Sequence, residues 1–407
     1  MERSKYLTEI WKPYPAFPAD SLAAGRLHNF KFEGPGVHLE LLRDGKILKI
    51  HIDRVPEVLG CLQLGDLVAV TQGSNLVLLA PQDKPLPRRS FEKVLLQKWN
   101  SYLMDVRAFF MGHDFVEVRT PGLVPCPGTE PSLDVFSTEL KVGSRKQKLF
   151  LPTSPELHLK KALALGAEKI FEIAPCYRNG EVTDLHQPEF LMLEWYRAYD
   201  NLQGIKQDVL HLISALSEKM EVPGPERAHS FSVAELFQRH CHFDFKPDTS
   251  AKELKALAEK LSVDVHGAQS IDDYFFLIFM EKIESQLPHN ALIFVEKYPP
   301  YQAALARLTP DGWGDRFEVY WKGMELANAF HELNDPKVQR LRTQEDLEKK
   351  KHMGKEEIFT DEEFFQCLEA GMPPSGGIAL GVERLFMALT NTKKITDLRV
   401  FPEGATK

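Results

Sequence analysis

The chain of 407 residues has no run of eighteen apolar residues, so no segment of it is expected to cross a membrane as a helix. Its opening stretch, MERSKYLTEIWKPYP, lacks the apolar core of a secretion signal. Cysteine is scarce. The five present (Cys61, Cys126, Cys176, Cys241, Cys367) are scattered, odd in number and never spaced as CxxC. That argues against a disulfide framework or a zinc site, and for reduced thiols in a cytoplasmic protein. A basic excess is missing too. Residues 1–90 hold 12 basic and 10 acidic side chains, and the remainder holds 38 and 48. A net acidic body argues against extensive contact with a nucleic-acid backbone.

What is present is ordinary for a folded globular chain: 43% hydrophobic and 27% charged residues, in a length that suits two or three domains. Residues 1–20, rich in proline and aromatics, read as an extended arm. SLAAGRLHNF, VHLELLRD, KILKIHID, DLVAVTQ and NLVLLAPQ then read as five short strands parted by turn residues. They suit a small OB-like barrel, although another small all-β domain would give the same pattern. Few aromatics punctuate it, so a platform for stacking bases is not evident. Pro81 to Ser90 is a proline-rich charged linker. We therefore expect an N-terminal β domain over 1–83 and an α+β domain over 84–407.

Ser90 offers a cap for a helix ending at Gly112, and Asp114 to Leu123 reads as a strand stopped at Pro121. Ser154 is the expected N-cap of a further helix, with Pro155 at its first position and Gly166 at its end. Glu156 falls in the first turn, where compensation of the helix dipole is reason enough for an acid. Residues 200–290 read mostly as amphipathic helices without evident chemistry.

Three stretches carry chemistry. In the first, Phe171 to Arg197, two runs of period-two alternation flank a polar loop with Asn179, Gly180, His186 and Pro188, which predicts a hairpin. Phe190, Glu194 and Tyr196 share one face, a set that suits a cationic or heterocyclic ligand. Arg178 closes the first strand, where it can grip a phosphate or carboxylate. An ordinary half-buried hairpin with an arginine ion pair is the plain alternative.

In the second stretch, Arg316 to Asp335, Lys322-Gly323 reads as a hairpin turn. Tyr320 then faces Glu325, Glu318 faces Ala327, and the two glutamates become diagonal neighbours. Such a pair repels unless a cation lies between, and Mg²⁺ on nucleotide phosphates is a natural occupant; two solvated glutamates are the alternative. Asn328, Phe330 and Glu332 have the opposite parity, so a bulge near Ala327 is required if all are to face one pocket. In the third, Ser375 to Leu389, a glycine-rich strand enters a helix with Arg384 in its first turn.

Together these stretches resemble motifs 2 and 3 of the class II aminoacyl-tRNA synthetases, and residues 90–123 resemble motif 1, which builds the dimer interface in that family. The lysine branch is closest, through TSPE, HQPEFLMLEWYR, RFEVYWKGMELANAFHEL and GMPPSGGIALGVERL. The resemblance implies an antiparallel sheet flanked by helices, a homodimer, and formation of an aminoacyl-adenylate from ATP with Mg²⁺. It implies that Arg178 bridges the amino-acid carboxylate and α-phosphate, that Glu318 and Glu325 hold Mg²⁺, and that His186 reaches the outer phosphates. Phe190 and Arg384 would sandwich adenine, with Glu181 and Gln187 also at the nucleotide. Glu156 and Glu194 would bind the near amino group, Asn328 the carboxylate, and Glu332 with Tyr196 the distal ammonium, with Ser154, Phe330 and Ala379 also at the substrate.

Alanine at 379, where lysyl-tRNA synthetases usually have glycine, resembles their paralogues that modify elongation factor P. It suits lysine or β-lysine as substrate and a protein acceptor. Charging of tRNA, or a catalytically idle binding protein, are the alternatives. Two features depart from the pattern. Gly180 stands before Glu181 where the family usually reads Arg-Asn-Glu, and Gln187 stands where asparagine is usual.

Overall fold

The computed structural model describes residues 2–10, 18–44, 46–82 and 93–399. The chain forms two compact units, residues 1–97 and 98–407. Residues 83–92, which include most of the expected linker and the Ser90 cap, lie outside the described residues.

The first unit is a five-stranded antiparallel sheet. Its strands are Ser21–Glu33, Gly36–Arg43, Lys46–Ile52, Leu67–Thr71 and Leu76–Ala80. Their order in space is third, second, first, fourth, fifth, with a turn of 3-10 helix (Glu57–Cys61) between the third and fourth. The long first strand pairs on both edges and breaks register between Leu27 and Asn29. A bulge of this kind lets one strand bend across a partly open barrel, so the unit is OB-like as expected. Alternate residues Leu27, Val37, Leu39, Leu41, Val68 and Val70 fill the core.

The expected extended arm is corrected over residues 3–10, which are helical. Arg3 forks onto Asp66 at 2.6 and 2.9 Å, and Tyr6 with Leu7 packs on the barrel core. These anchors outweigh the proline-rich composition that follows. Residues 11–17 lie outside the described residues.

The second unit is built on an eight-stranded sheet. In spatial order its strands are Ala228–Ser232, Leu292–Tyr298, Gly314–Trp321, Met324–His331, Ser375–Gly381, Glu189–Ala198, Lys169–Tyr177 and Val116–Glu117. The interior pairs are antiparallel, and the two outermost pairs are parallel. The sheet is therefore mixed at its rims. Helices flank it. Lys93–Gly112 is tied to it by Tyr102, whose hydroxyl donates to Val382 O at 3.0 Å, and by Phe110, stacked on Phe171 at 4.8 Å.

Two boundaries differ from expectation. The strand expected over 114–123 is only Val116–Glu117. Its pairing stops because Thr120 N–H turns to the Glu172 carboxylate at 2.9 Å and Pro121 has no N–H to donate. The helix expected to have Ser154 as its cap and Pro155 as its first residue runs Glu156–Ala164, with Pro155 in the cap position. Ser154 Oγ still accepts the Glu156 N–H at 2.9 Å, so it satisfies the helix end from one residue further back. Among the described residues, no helix is long and apolar enough to cross a membrane.

Candidate active site

The site lies on one face of the large sheet, and a single irregularity assembles it. Tyr320 pairs with Glu325, yet Val319 pairs with Ala327, so Leu326 is an extra residue on its strand. The bulge falls beside Ala327, where it was expected. It corrects one pairing: Glu318 faces Asn328, not Ala327. After the bulge, Glu325, Asn328 and Phe330 stand opposite Tyr320, Glu318 and Arg316, and so share their face.

Register then sets out two rows across four strands. One runs Glu194, Ala379, Asn328, Glu318; the other runs Tyr196, Gly377, Phe330, Arg316. Ala379 lies between Glu194 and Asn328 on the floor of the site. A side chain at Gly377 would collide with Glu332 and Tyr196, so glycine leaves those two their space.

One end of the face is rich in buried carboxylates. Ser154 donates to Glu194 Oε1 at 2.8 Å, and the Tyr196 hydroxyl to Glu194 Oε2 at 3.0 Å. Burial and the charge of nearby Glu156 push the Glu194 carboxyl well above its usual range. Lys160 Nζ, with no exposed side-chain surface, contacts Glu156 and lies 2.6 Å from Glu332. Burial opposes the charge on Lys160, but the two carboxylates outweigh it and hold the ammonium above its usual range. A small pocket adjoins this end, lined by Gly128, Glu130, Ser154, Glu156 and Leu305 among others. Glu130 Oε2 is buried there without a hydrogen-bond partner. Burial, reinforced by Glu156, pushes its carboxyl up.

The other end is cationic. The Arg178 guanidinium carbon lies 5.2 Å from the Phe190 ring centroid, and its Nε is buried without a partner. Arg384 donates to Glu325 O at 3.0 Å and contacts His186 Nε2. Arginine has no acceptor, so His186 Nε2 accepts and its Nδ1–H donates to Thr183 Oγ1 at 2.8 Å. Burial and Arg384 hold the imidazole below its usual range, and Glu181 opposes them. Gly180 has φ +81°, a conformation that would strain a glutamate. Gln187 is buried.

Between the ends stands a network that sequence reasoning missed. Arg316 Nε donates to Asn328 Oδ1 at 3.0 Å, and its terminal nitrogens contact Glu318 and Gln302 O. Glu318 also accepts from Tyr298 at 2.5 Å and Tyr320 at 2.6 Å. Burial, then the Glu318 charge, pushes the Glu325 carboxyl up to about 7. Its side chain is still 39% exposed, so water screens part of that repulsion. The missed residues had signals of differing strength. Arg316 and Tyr320 share strand parity with Glu318, and Lys160 follows Glu156 by one helical turn. Glu130 had none.

A buried guanidinium with an unused donor fits a phosphate or carboxylate ligand. Two carboxylates on one face, one with its proton affinity raised by the other, fit a divalent cation. Glu325 has the freer oxygens of the two, since Glu318 already receives three donors.

Residues 86–405 match the family model of the class II tRNA synthetases (D, K and N), and the chain belongs to that family. Within it, a protein of Proteus mirabilis is 36% identical over 315 residues, 75% of this chain and 94% of the relative. One of Haemophilus influenzae is 36% identical over 310 residues, with the same shares covered. Both are named elongation factor P–(R)-β-lysine ligase.

Proposed function

We propose that this chain activates lysine or β-lysine with ATP and transfers it to a lysine side chain of elongation factor P. The observation that carries this reading is the convergence of Glu156, Glu194 and Glu332 at one end of a pocket that has Arg178, with its unused Nε donor, at the other. Three carboxylates against one internal lysine suit a substrate with two ammonium groups, and a guanidinium suits its carboxylate. The relatives' names supply the acceptor.

In this reading Arg178 holds the amino-acid carboxylate against the α-phosphate, and a carboxylate oxygen displaces pyrophosphate to give the adenylate. Positioning and charge neutralisation supply the rate, with no protein nucleophile. Asn328, with its Oδ1 accepting from Arg316, presents its NH₂ to the carboxylate. Glu332 and Tyr196 receive the distal ammonium, Glu156 and Glu194 the nearer one, and Phe330 lines the pocket. Phe190 and Arg384 flank adenine, with Glu181, His186 and Gln187 along the nucleotide. Glu325, supported by Glu318, would hold Mg²⁺, which neutralises phosphate charge when bound. The acceptor amine then attacks the acyl carbon. AMP leaves, the amine gives up a proton and an amide forms.

A homodimer is part of the proposal. Met104, Met111 and Val116 are exposed on the helix and edge strand that resemble motif 1. One observation favours tRNA as acceptor instead: the OB-like order of the first unit. The test offers enzyme, ATP and each amino acid to elongation factor P and to tRNA. Mass gain on the protein supports the proposal. Charging of tRNA with no mass gain overturns the acceptor, and pyrophosphate exchange with aspartate but not lysine analogues overturns the pocket assignment.

A further inference from the structure

The first unit carries a cluster unrelated to that chemistry. Glu33 ends the first strand, and His38 and His51 face each other across the second and third. The imidazole centroids are 4.3 Å apart, and Glu33 contacts His38 Nε2. One ligand atom from each of the three lies within 4.8 Å of the others. Asp53 Oδ1 stands 3.4 Å from His51 Nε2 as a further donor.

Backbone geometry does the gathering. Directly paired strand positions hold Cβ atoms about 4.5–5.5 Å apart, so two histidines there converge at no conformational cost. Glu33 pairs with Gly36, one side-chain step along the same face from His38. A Cβ on Gly36 would lie 3.0 Å from His51 Cε1, so the bare glycine leaves that ring its place. A solvated ion pair needs one histidine, whereas this arrangement brings two imidazoles and a carboxylate together on one face.

We propose that Glu33, His38 and His51 form a divalent transition-metal site that takes Zn²⁺. Two imidazoles and one carboxylate are a common three-ligand set for zinc, with water completing the shell, and Asp53 can replace that water. Nitrogen ligands disfavour Mg²⁺ and Ca²⁺, which prefer all-oxygen shells. Lys31, paired with His38 on the first strand, and Lys49, one step along the face from His51 and 3.7 Å from Glu40, weaken the site without blocking it. The ligands come from three consecutive strands, and the third is an edge of the sheet. A bound ion therefore pins an edge strand to its neighbours, which is the benefit of holding one there.

The test uses the full chain, freed of metal by chelation, at pH 7.5. Titration calorimetry with ZnCl₂ should show one more bound equivalent in the wild type than in the H38A/H51A double variant, and Glu33→Gln should weaken that equivalent at least tenfold. MgCl₂ in excess should not displace it. The histidines are partly exposed, at 47% and 42% of their side-chain surface, so the variant should fold and keep its amino-acid-dependent pyrophosphate exchange. Titration of the wild type with CoCl₂ gives a readout that needs no variant: a visible band at one equivalent, abolished by added ZnCl₂. Equal zinc stoichiometry in wild type and double variant, or no cobalt band, overturns the proposal.

Discussion

The two ends of the pocket are built on different terms. At the end proposed for the amino acid, almost every polar group already has a partner: Lys160 between Glu156 and Glu332, and Glu194 between Ser154 and Tyr196. At the end proposed for the nucleotide the groups are provisional. Arg178 keeps an unsatisfied buried Nε, and Arg384 and His186 contact each other. A prepaired end selects by shape and charge, because a wrong guest leaves buried partners unmatched. An end with unused donors stabilises charge that arrives and develops during reaction. Selectivity and rate are thus expected to be separable by mutation.

The largest effect should come from the unsatisfied group. Arg178→Ala removes the donor set aimed at the developing charge. Adenylate formation, measured by pyrophosphate exchange, should fall by about 10³-fold, the scale of losing one such preorganised donor. Amino-acid affinity, read by calorimetry without ATP, should change far less. Equal losses in both would break the division between the two ends.

Next comes Glu332→Gln. Removing one partner of a buried ion pair costs about 3–5 kcal/mol, and Lys160 would be left with Glu156 alone. The KM for the amino acid should rise by roughly 10²-fold while the KM for ATP holds. A matching rise in both would mean that the ends are coupled.

How much of this was legible beforehand depended on local pattern. The Lys169–Tyr177 and Glu189–Ala198 hairpin and the five small strands follow from alternation, which a strand writes into its own residues. The bulge at Leu326 was legible because Glu325 and Asn328 had opposite parity while the family resemblance put both at one pocket. Lys160 and Arg316 were less so: each sits at the right spacing, but their partners come from distant segments. Glu130 was invisible. It stands in an irregular loop, and only the packing of that loop against the Glu156 helix gives its carboxylate a place. The Ser137–Val142 and Arg145–Phe150 hairpin was likewise unread, since its exposed charged residues carry no core alternation.

Ala379→Gly tests the floor between the two ends. It deletes one methyl in the row from Glu194 to Asn328. A methyl in a pocket is worth about 1–3 kcal/mol, so the ratio of kcat/KM for α-lysine over β-lysine should rise by roughly tenfold or more. An unchanged ratio would take specificity away from this position and return it to the carboxylates alone.

The smallest effect belongs to Glu130, whose carboxylate keeps an unpartnered oxygen at the prepaired end. Glu130 Oε2 is buried without a partner, and burial with Glu156 pushes its carboxyl up. The unfolded chain releases this proton near the ordinary glutamate value, and the folded chain keeps it to higher pH. Between those two values the native state binds more protons, so rising pH subtracts stability. Glu130→Gln removes that penalty. The variant should therefore melt higher than wild type at pH 8 and gain less at pH 5. If the carboxylate exists to receive a substrate ammonium, the same variant should bind the amino acid more weakly by about fivefold, since the amide keeps an acceptor but loses the charge. ATP affinity should hold. A gain in stability together with a loss in amino-acid affinity is the signature of a group kept for its ligand. A gain in stability with unchanged affinity would make Glu130 a passive member of the loop, and the amino-acid end would then be complete without it.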